Sequence, residues 1–419
     1  MTGKDRVSFL ELTLHGHRVG FAAGYRSGKN VLIFAPEFRE NSRRPTFSLT
    51  THPWFPNAEK LLAKPWVKRQ RLHPVLSNLL PEGALREMLA QGLKVHIDDE
   101  FRLLAYLGRD LPGALVAAPM AIDDVPAYVL QHDDASELVE LSLEEDTYHF
   151  SLAGVQMKFS MRRQNGQYHI TASDERGDWI VKPPSTRHKN VPLNEYSAMR
   201  LAQIAGVDIP EIRLVEVGKL IKLPPIHLPD EKYAFAVRRF DRQGRKRTHT
   251  EDFAQVLVKY PHEKYDSANY GRIGKVLYNF TGNGLANVQQ FARRLLVNIL
   301  LANGDAHLKN WSLVYPDAIT PELSPAYDIV TTRVYMGDER KFALNLGKTK
   351  EWYGTSLDHF QMWAAKADIP WRAVKPHLSD TLNKARTLWG KELTSLPMDD
   401  EHKQGLQEHW QNLHNDFRI

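Results

Sequence analysis

The chain has no cysteine among its 419 residues, which removes disulfides, thiol nucleophiles and thiolate metal sites together. That composition fits a reducing compartment, and a cytoplasmic protein is expected. Long apolar runs are missing as well. No stretch approaches the roughly eighteen apolar residues of a membrane-spanning helix, and no apolar leader core follows the first five residues. A soluble chain without membrane contact is therefore expected. Charge of one sign is scarce too: 55 basic against 50 acidic residues leave a net +5, too even to make nucleic acid the default partner. Eighteen histidines include no His-Glu-x-x-His spacing, so His15, His17, His409 and His414 are expected at the surface, not on a metal.

What the chain does have is enough apolar content, 42%, to build a core in each of two or three domains. Two basic clusters stand out, Lys64, Lys68, Arg69 and Arg71, and then Arg238, Arg239, Arg242, Arg245, Lys246 and Arg247. Each is read as a solvated face ahead of a phosphate-contacting patch. The first third reads as a separate small α/β domain over residues 1–120, with strands at 7–14 and 31–35, Pro-rich loops, and helices at 74–80 and 82–91. An acidic, irregular stretch makes 121–147 a linker.

From residue 148 a fixed order of signals follows. A strand leads to the hairpin turn Asn165-Gly166, and 167–172 returns. Trp179 to Lys182 is a short apolar strand closed by Pro183-Pro184, which places Lys182 at the end of a buried element or snorkelling from it. The helix 193–205 carries Glu195 on the line of Met199 and Ala202, where a carboxylate needs a partner unless it is exposed at the helix start. Lys182 is the nearest candidate partner. Strands at 211–217 and 233–237 come next, then a helix expected to start at Thr250-Glu251-Asp252 and end at Pro261.

The stretch Asn303-Gly304-Asp305-Ala306-His307-Leu308-Lys309-Asn310, followed by Asp328, spaces an acid, an amide and a second acid as phosphoryl transfer requires. In that chemistry the first aspartate orients and deprotonates the acceptor hydroxyl, and the amide and later aspartate hold magnesium. Asp305 would be the base, and Asn310 and Asp328 the metal ligands. An Asx-rich turn capping the preceding helix is the competing reading of the loop alone. The apolar helix 288–301, the helix-ending Asn303-Gly304 and a short strand at 311–315 favour the kinase order. The expected fold is α+β and bilobal, protein-kinase-like, with a β-rich N-lobe over 148–240, a mostly helical C-lobe over 241–419, and the small N-terminal domain in front.

With these residues in place, the chain resembles the HipA family of kinase toxins of bacterial toxin-antitoxin modules. The resemblance covers nearly the whole length. It rests on residues 151–158 (Ser-Leu-Ala-Gly-Val-Gln-Met-Lys), 180–183, 237–242, 303–310 and 324–328, with Asn78 to Gly83 in the N-terminal domain. It implies that Ser151 is an autophosphorylated serine, and that Ala153, Gly154, Val155, Gln156, Met157 and Lys158 cradle the ATP phosphates. Lys182 would neutralise phosphate charge. Arg238, Arg239 and Phe240 would form the hinge that meets adenine, with His307 among the ATP contacts, and Lys309 would meet the transferred phosphoryl group. Arg238 departs from the family's usual glutamate, and Tyr327-Asp328-Ile329 lacks the glycine of the DFG motif.

The resemblance further implies ATP and Mg²⁺ as cofactors, and serine/threonine kinase activity on an aminoacyl-tRNA synthetase, glutamyl-tRNA synthetase foremost. It implies a helix-turn-helix, HipB-like antitoxin as partner, with operator DNA only inside that complex; basic C-terminal helices carrying Lys375, Lys384, Arg386 and Lys391 would then face DNA. A small-molecule phosphotransferase and a pseudokinase acting as a co-repressor are the alternatives.

Overall fold

The computed structural model describes residues 6–7, 9–130, 141–142, 157–170, 177–224, 226–244 and 246–419. It divides into two compact units, one formed by residues 1–178, 241–261 and 314–320, the other by 179–240, 262–313 and 321–419.

In the first unit, β1 (Phe9–Leu14), β2 (His17–Gly24), β3 (Lys29–Phe34), β4 (Trp66–Arg69) and β5 (Leu115–Met120) form a five-stranded antiparallel sheet in the order β4-β3-β2-β1-β5. Alternating apolar residues give the sheet two buried faces. On one, Phe9, Phe21, Ala23, Tyr25, Val31 and Ile33 pack with Val125 and Val129. Elsewhere in the unit the Phe34 ring meets those of Phe47 and Trp66 edge to face, with centroids 5.8 and 4.9 Å away, and Phe47 lies tilted against Trp66 at 6.1 Å. Helices α1 (Gly83–Gly92) and α2 (Glu100–Leu107) follow, the second capped by Asp99, which accepts from the Arg102 amide at 3.2 Å. A hairpin of β6 (Phe159–Gln164) and β7 (Gln167–Ile170) turns at Asn165 and Gly166, with φ of 49° and 80°. Two successive left-handed residues make the tight turn whose twist suits a hairpin, as the Asn-Gly pair predicts.

Residues 241–261 depart from the sequence expectation in two ways. Arg242 and Arg247 are buried and not part of a solvated face. Their guanidiniums donate to the carbonyls of Leu111 and Gly113 at 2.7 to 2.9 Å, filling acceptors of the loop that precedes β5. The helix expected from Thr250 is one turn, Phe253–Val256, because His249–Asp252 is a strand. Asp252 caps that turn by a reciprocal box with Gln255, and Glu251 is drawn inward: its carboxylate accepts from the Leu49 amide at 2.7 Å, from the Ser48 hydroxyl at 3.0 Å and from the Tyr315 hydroxyl.

The second unit begins with β8 (Trp179–Lys182), α3 (Val191–Ile204), β9 (Ile212–Glu216) and β10 (Tyr233–Arg238). β10 pairs antiparallel with both β8 and β9, with Lys182 opposite Phe235. Helices α4 (Tyr270–Phe280) and α5 (Gly284–Leu300) lead to β11 (Ser312–Tyr315), whose last two residues belong to the first unit; after residue 320 come the hairpin β12 (Lys341–Leu346) and β13 (Thr349–Glu351), and helices α6 (Leu357–Lys366), α7 (Trp371–Lys384) and α8 (Asp400–Asn412). Phe291 of α5 is the hub of an aromatic core, 4.7 Å from the Trp311 ring and 5.8 Å from the Trp363 ring. The fold class is α+β, as expected. Among the described residues no helix is long and apolar enough to cross a membrane.

His409 corrects its expected surface place: it is fully buried on α8. The last carbonyls of α5 have no partner within their own helix. His409 Nε2 meets the Ile299 carbonyl at 2.7 Å and Trp410 Nε1 donates to the Leu300 carbonyl at 2.8 Å, so α8 closes the end of α5. Burial pushes the imidazole pKa down to about 4 and keeps it neutral.

Candidate active site

α5 presents a continuous buried face through Val288, Phe291, Leu295, Leu296 and Ile299, which fixes the direction in which the chain leaves it. The exit is made by Ala302 at φ 51°, where Asn303-Gly304 had been expected to turn the chain. An alanine tolerates this because its carbonyl accepts from the Thr332 and Arg333 amides at 3.2 and 3.3 Å. Asn303 is buried and splints the turn. Its amide group donates to Asn298 Oδ1 at 2.7 Å, while its own oxygen accepts from the Asp305 amide at 3.1 Å.

The loop then folds on itself. Asn310 Nδ2 donates 2.7 Å to the carbonyl of Asp305, five residues earlier, and Leu308–Asn310 forms a single 3₁₀ turn. The Asp305 carboxylate stays half exposed, 3.9 Å from His307 Nε2, and accepts from the Tyr265 hydroxyl at 2.6 Å. Gly304 lets the backbone pass close to Glu339, whose carboxylate also takes the Thr332 hydroxyl. Burial, ahead of the opposing Thr332 hydrogen bond, holds the Glu339 pKa above the usual carboxylate range.

Lys182, Glu195 and Asp328 come together at one point. The buried Lys182 ammonium lies 2.5 Å from Glu195 Oε1 and 2.5 Å from Asp328 Oδ1. Burial alone would lower the lysine pKa, but the Asp328 and Glu195 carboxylates outweigh it and hold the pKa above the ordinary lysine value. Of the two readings for Glu195, the buried and paired one holds. Its neighbour Asn194 donates to the Thr331 carbonyl at 3.1 Å and accepts from the Thr331 amide at 2.9 Å, so α3 fixes both Lys182 and the segment after Asp328. Asp328 itself is left-handed, φ 54°, a conformation that costs a non-glycine residue about 1 to 3 kcal/mol and concentrates at functional sites. Tyr327 ties this corner to the loop, its hydroxyl donating to the Lys309 carbonyl at 2.9 Å.

The other expected site residues fall as follows. Arg238 ends β10 with its side chain exposed and 3.4 Å from Glu211, Arg239 is buried, and the Phe240 ring lies 5.8 Å from that of Tyr327. Met157 and Lys158 are described as half-buried residues preceding β6, whereas Ser151, Ala153, Gly154, Val155 and Gln156 lie outside the described residues. Sequence reasoning missed Tyr265, Thr332 and Glu339. None belongs to a spaced motif, and the contacts of Tyr265 and Thr332 with the loop span 40 and 28 residues.

The oxygen groups that the sequence offers to a cation, the Asp328 carboxylate and the Asn310 amide, are both on half-buried residues. Oxygen donors in that number suit Mg²⁺, which keeps waters and draws its remaining ligands from phosphates. Among the described residues no group of three His, Asp or Glu side chains forms a closed metal cage. A lysine held positive between two carboxylates, and a half-exposed carboxylate on a folded loop, are groups of the kind that phosphoryl transfer employs.

Fold and site together define an α+β protein of the kinase-like class. The profile of the HipA-like C-terminal domain matches residues 150–389, and that of the HipA N-terminal domain matches residues 10–118. A Sinorhizobium fredii protein named "Putative kinase Y4dM" is 40% identical over 94% of both chains. The "Serine/threonine-protein kinase toxin HipA" of Shewanella oneidensis is 27% identical over 64% of this chain and 65% of its own. The solved Shewanella oneidensis complex of HipA, HipB and operator DNA superposes with a TM-score of 0.71 at 20% identity, covering 96% of this chain and 97% of that one. The chain belongs to the HipA family.

Proposed function

We propose that this chain is an ATP- and Mg²⁺-dependent serine/threonine protein kinase. The observation that carries the reading is the meeting of Lys182 with Glu195 and Asp328 at 2.5 Å. A cation anchored by a helix carboxylate beside a metal-binding aspartate is the arrangement that holds triphosphate in kinases. In this reading Lys182 neutralises phosphate charge, Asn310 and Asp328 hold magnesium, Asp305 takes the acceptor proton and Lys309 meets the transferred phosphoryl group. Met157 and Lys158 belong to the phosphate-binding loop with 153–156, His307 and the Arg238 to Phe240 hinge contact the nucleotide, and Ser151 is a self-phosphorylated serine. Bound magnesium supplies charge neutralisation at the phosphates; the residues supply position.

Family likeness supports a finer reading: an aminoacyl-tRNA synthetase as substrate, glutamyl-tRNA synthetase first, and a helix-turn-helix antitoxin of the HipB kind as partner. The solved relative is a complex with HipB and operator DNA, which favours the same assembly here. Lys384 and Arg386, two of the four C-terminal cations considered for DNA, are engaged within the chain by Asp380 at 2.8 Å and the Arg418 carbonyl at 2.9 Å. In this reading operator DNA is met only within the complex with the antitoxin.

The test is transfer from γ-labelled ATP by the purified chain, alone and with candidate synthetases, against Asp305→Asn. Label with the wild type that is lost with the variant is expected. Equal label in both overturns the assignment of Asp305.

A further inference from the structure

The hydroxyl of Tyr265 occupies the place that an acceptor hydroxyl takes in the reaction proposed above. A general base must lie about 2.6 to 3.2 Å from the oxygen it deprotonates, and Tyr265 Oη is 2.6 Å from Asp305 Oδ1. The chain holds the ring there from several sides. The His307 ring meets it edge to face at 5.0 Å, and the Lys264 ammonium lies 5.7 Å from its centroid. The Leu308 amide donates to the Lys264 carbonyl at 3.2 Å, and Asp266 is paired with Lys350 at 2.8 Å. Residue 264 is thus fastened to the 303–310 loop and residue 266 to β13, one on each side of the tyrosine. Tyr265 as a residue is 39% exposed, so it lies at the surface and not within the core.

We propose that Tyr265 is a phosphorylation site of this chain's own active centre, modified within the same molecule. The inference rests on the kinase reading. In the step, the bond between the ATP γ-phosphorus and the β,γ-bridging oxygen breaks and a bond from that phosphorus to Tyr265 Oη forms. The phenolic proton passes to the Asp305 carboxylate, and ADP leaves. ATP is the only co-reactant. Because the acceptor is already positioned, the reaction is unimolecular in protein. The competing role for the contact is structural, Tyr265 simply orienting Asp305, and it leaves no phosphate.

The experiment incubates the full chain with ATP and Mg²⁺ across a tenfold dilution of protein and maps phosphopeptides by mass spectrometry, with ADP measured alongside. Phosphate on Tyr265, with a rate constant unchanged by dilution and absent from Asp305→Asn, is the expected result. Phosphate only on serine or threonine, with Tyr265 unmodified, overturns the inference and leaves the kinase reading standing. No phosphate and no ADP overturn both. A rate constant that rises with protein concentration overturns modification within the same molecule. If Asp305→Asn fails to fold, the wild-type dilution series still decides.

Discussion

The ammonium of Lys182 lies 2.5 Å from the carboxylate of Asp328, a residue 146 positions further along the chain. Glu195 meets the same ammonium from α3, so one buried cation joins a strand, a helix and the segment that follows the 303–310 loop. Removing one partner of a buried pair leaves the rest uncompensated, at a cost of about 3 to 5 kcal/mol. Lys182→Met is expected to lower stability by that order, and Glu195→Gln by less, since Asp328 still faces the lysine. Guanidinium unfolding midpoints with unchanged slopes are the measurement. A loss below about 1 kcal/mol for Lys182→Met would show that the triad carries little, on the scale of an exposed ion pair.

Gly304 passes against the end of the Glu339 side chain. A Cβ at this position would lie 2.1 Å from Glu339 Oε1, and that carboxylate is held by the Thr332 hydroxyl. Gly304→Ala should destabilise by about 1 to 3 kcal/mol, the usual range for overpacking. Adding Glu339→Ala should recover part of the loss, since it removes the obstacle. A double-mutant cycle reads the coupling, and simple additivity of the two losses would contradict the contact.

Burial raises the Glu251 pKa to about 7, ahead of the opposing hydrogen bonds from Tyr315, the Leu49 amide and Ser48. The folded state therefore keeps a proton that the unfolded chain releases near its ordinary value of 4.5. The sign follows: this contribution is fully present below the unfolded value and is lost as pH rises through the folded one. The slope is at most about 1.4 kcal/mol per pH unit in that window. Glu251→Gln keeps an oxygen acceptor for Leu49 but does not titrate, so it should remove this component from the stability profile between pH 4.5 and 7. An unchanged profile would show that Glu251 does not titrate there.

The parts of this molecule that were legible in the sequence are those fixed by local chemistry. Asn165-Gly166 makes a hairpin because both residues accept left-handed backbone. The strand Trp179–Lys182 and the apolar stripe of α5 were readable from their period. Lys182 and Glu195 could be paired because the helix follows the strand directly and a carboxylate on its buried line needs a cation. The misreadings share one physical cause, contacts formed at long range. Glu251 looked like part of a helix start, yet its partners Ser48 and Leu49 lie 203 and 202 residues away. Arg242, Arg247 and His409 looked like surface residues because their carbonyl partners are distant in the chain, at separations of 110 to 136 residues. Tyr265 gave no signal at all, since a lone tyrosine in a loop acquires meaning only when Asp305 folds against it.

In the proposed function Lys182, Asn310 and Asp328 hold a magnesium-bound triphosphate for transfer at Asp305. Calorimetric titration of ATP into the chain, with Mg²⁺ and with EDTA, for the wild type and for Asp328→Asn, tests it most directly. The account predicts binding that is strengthened by Mg²⁺ in the wild type, with that strengthening lost in the variant. ATP affinity that is indifferent to Mg²⁺, or a variant that keeps the full magnesium effect, would contradict it.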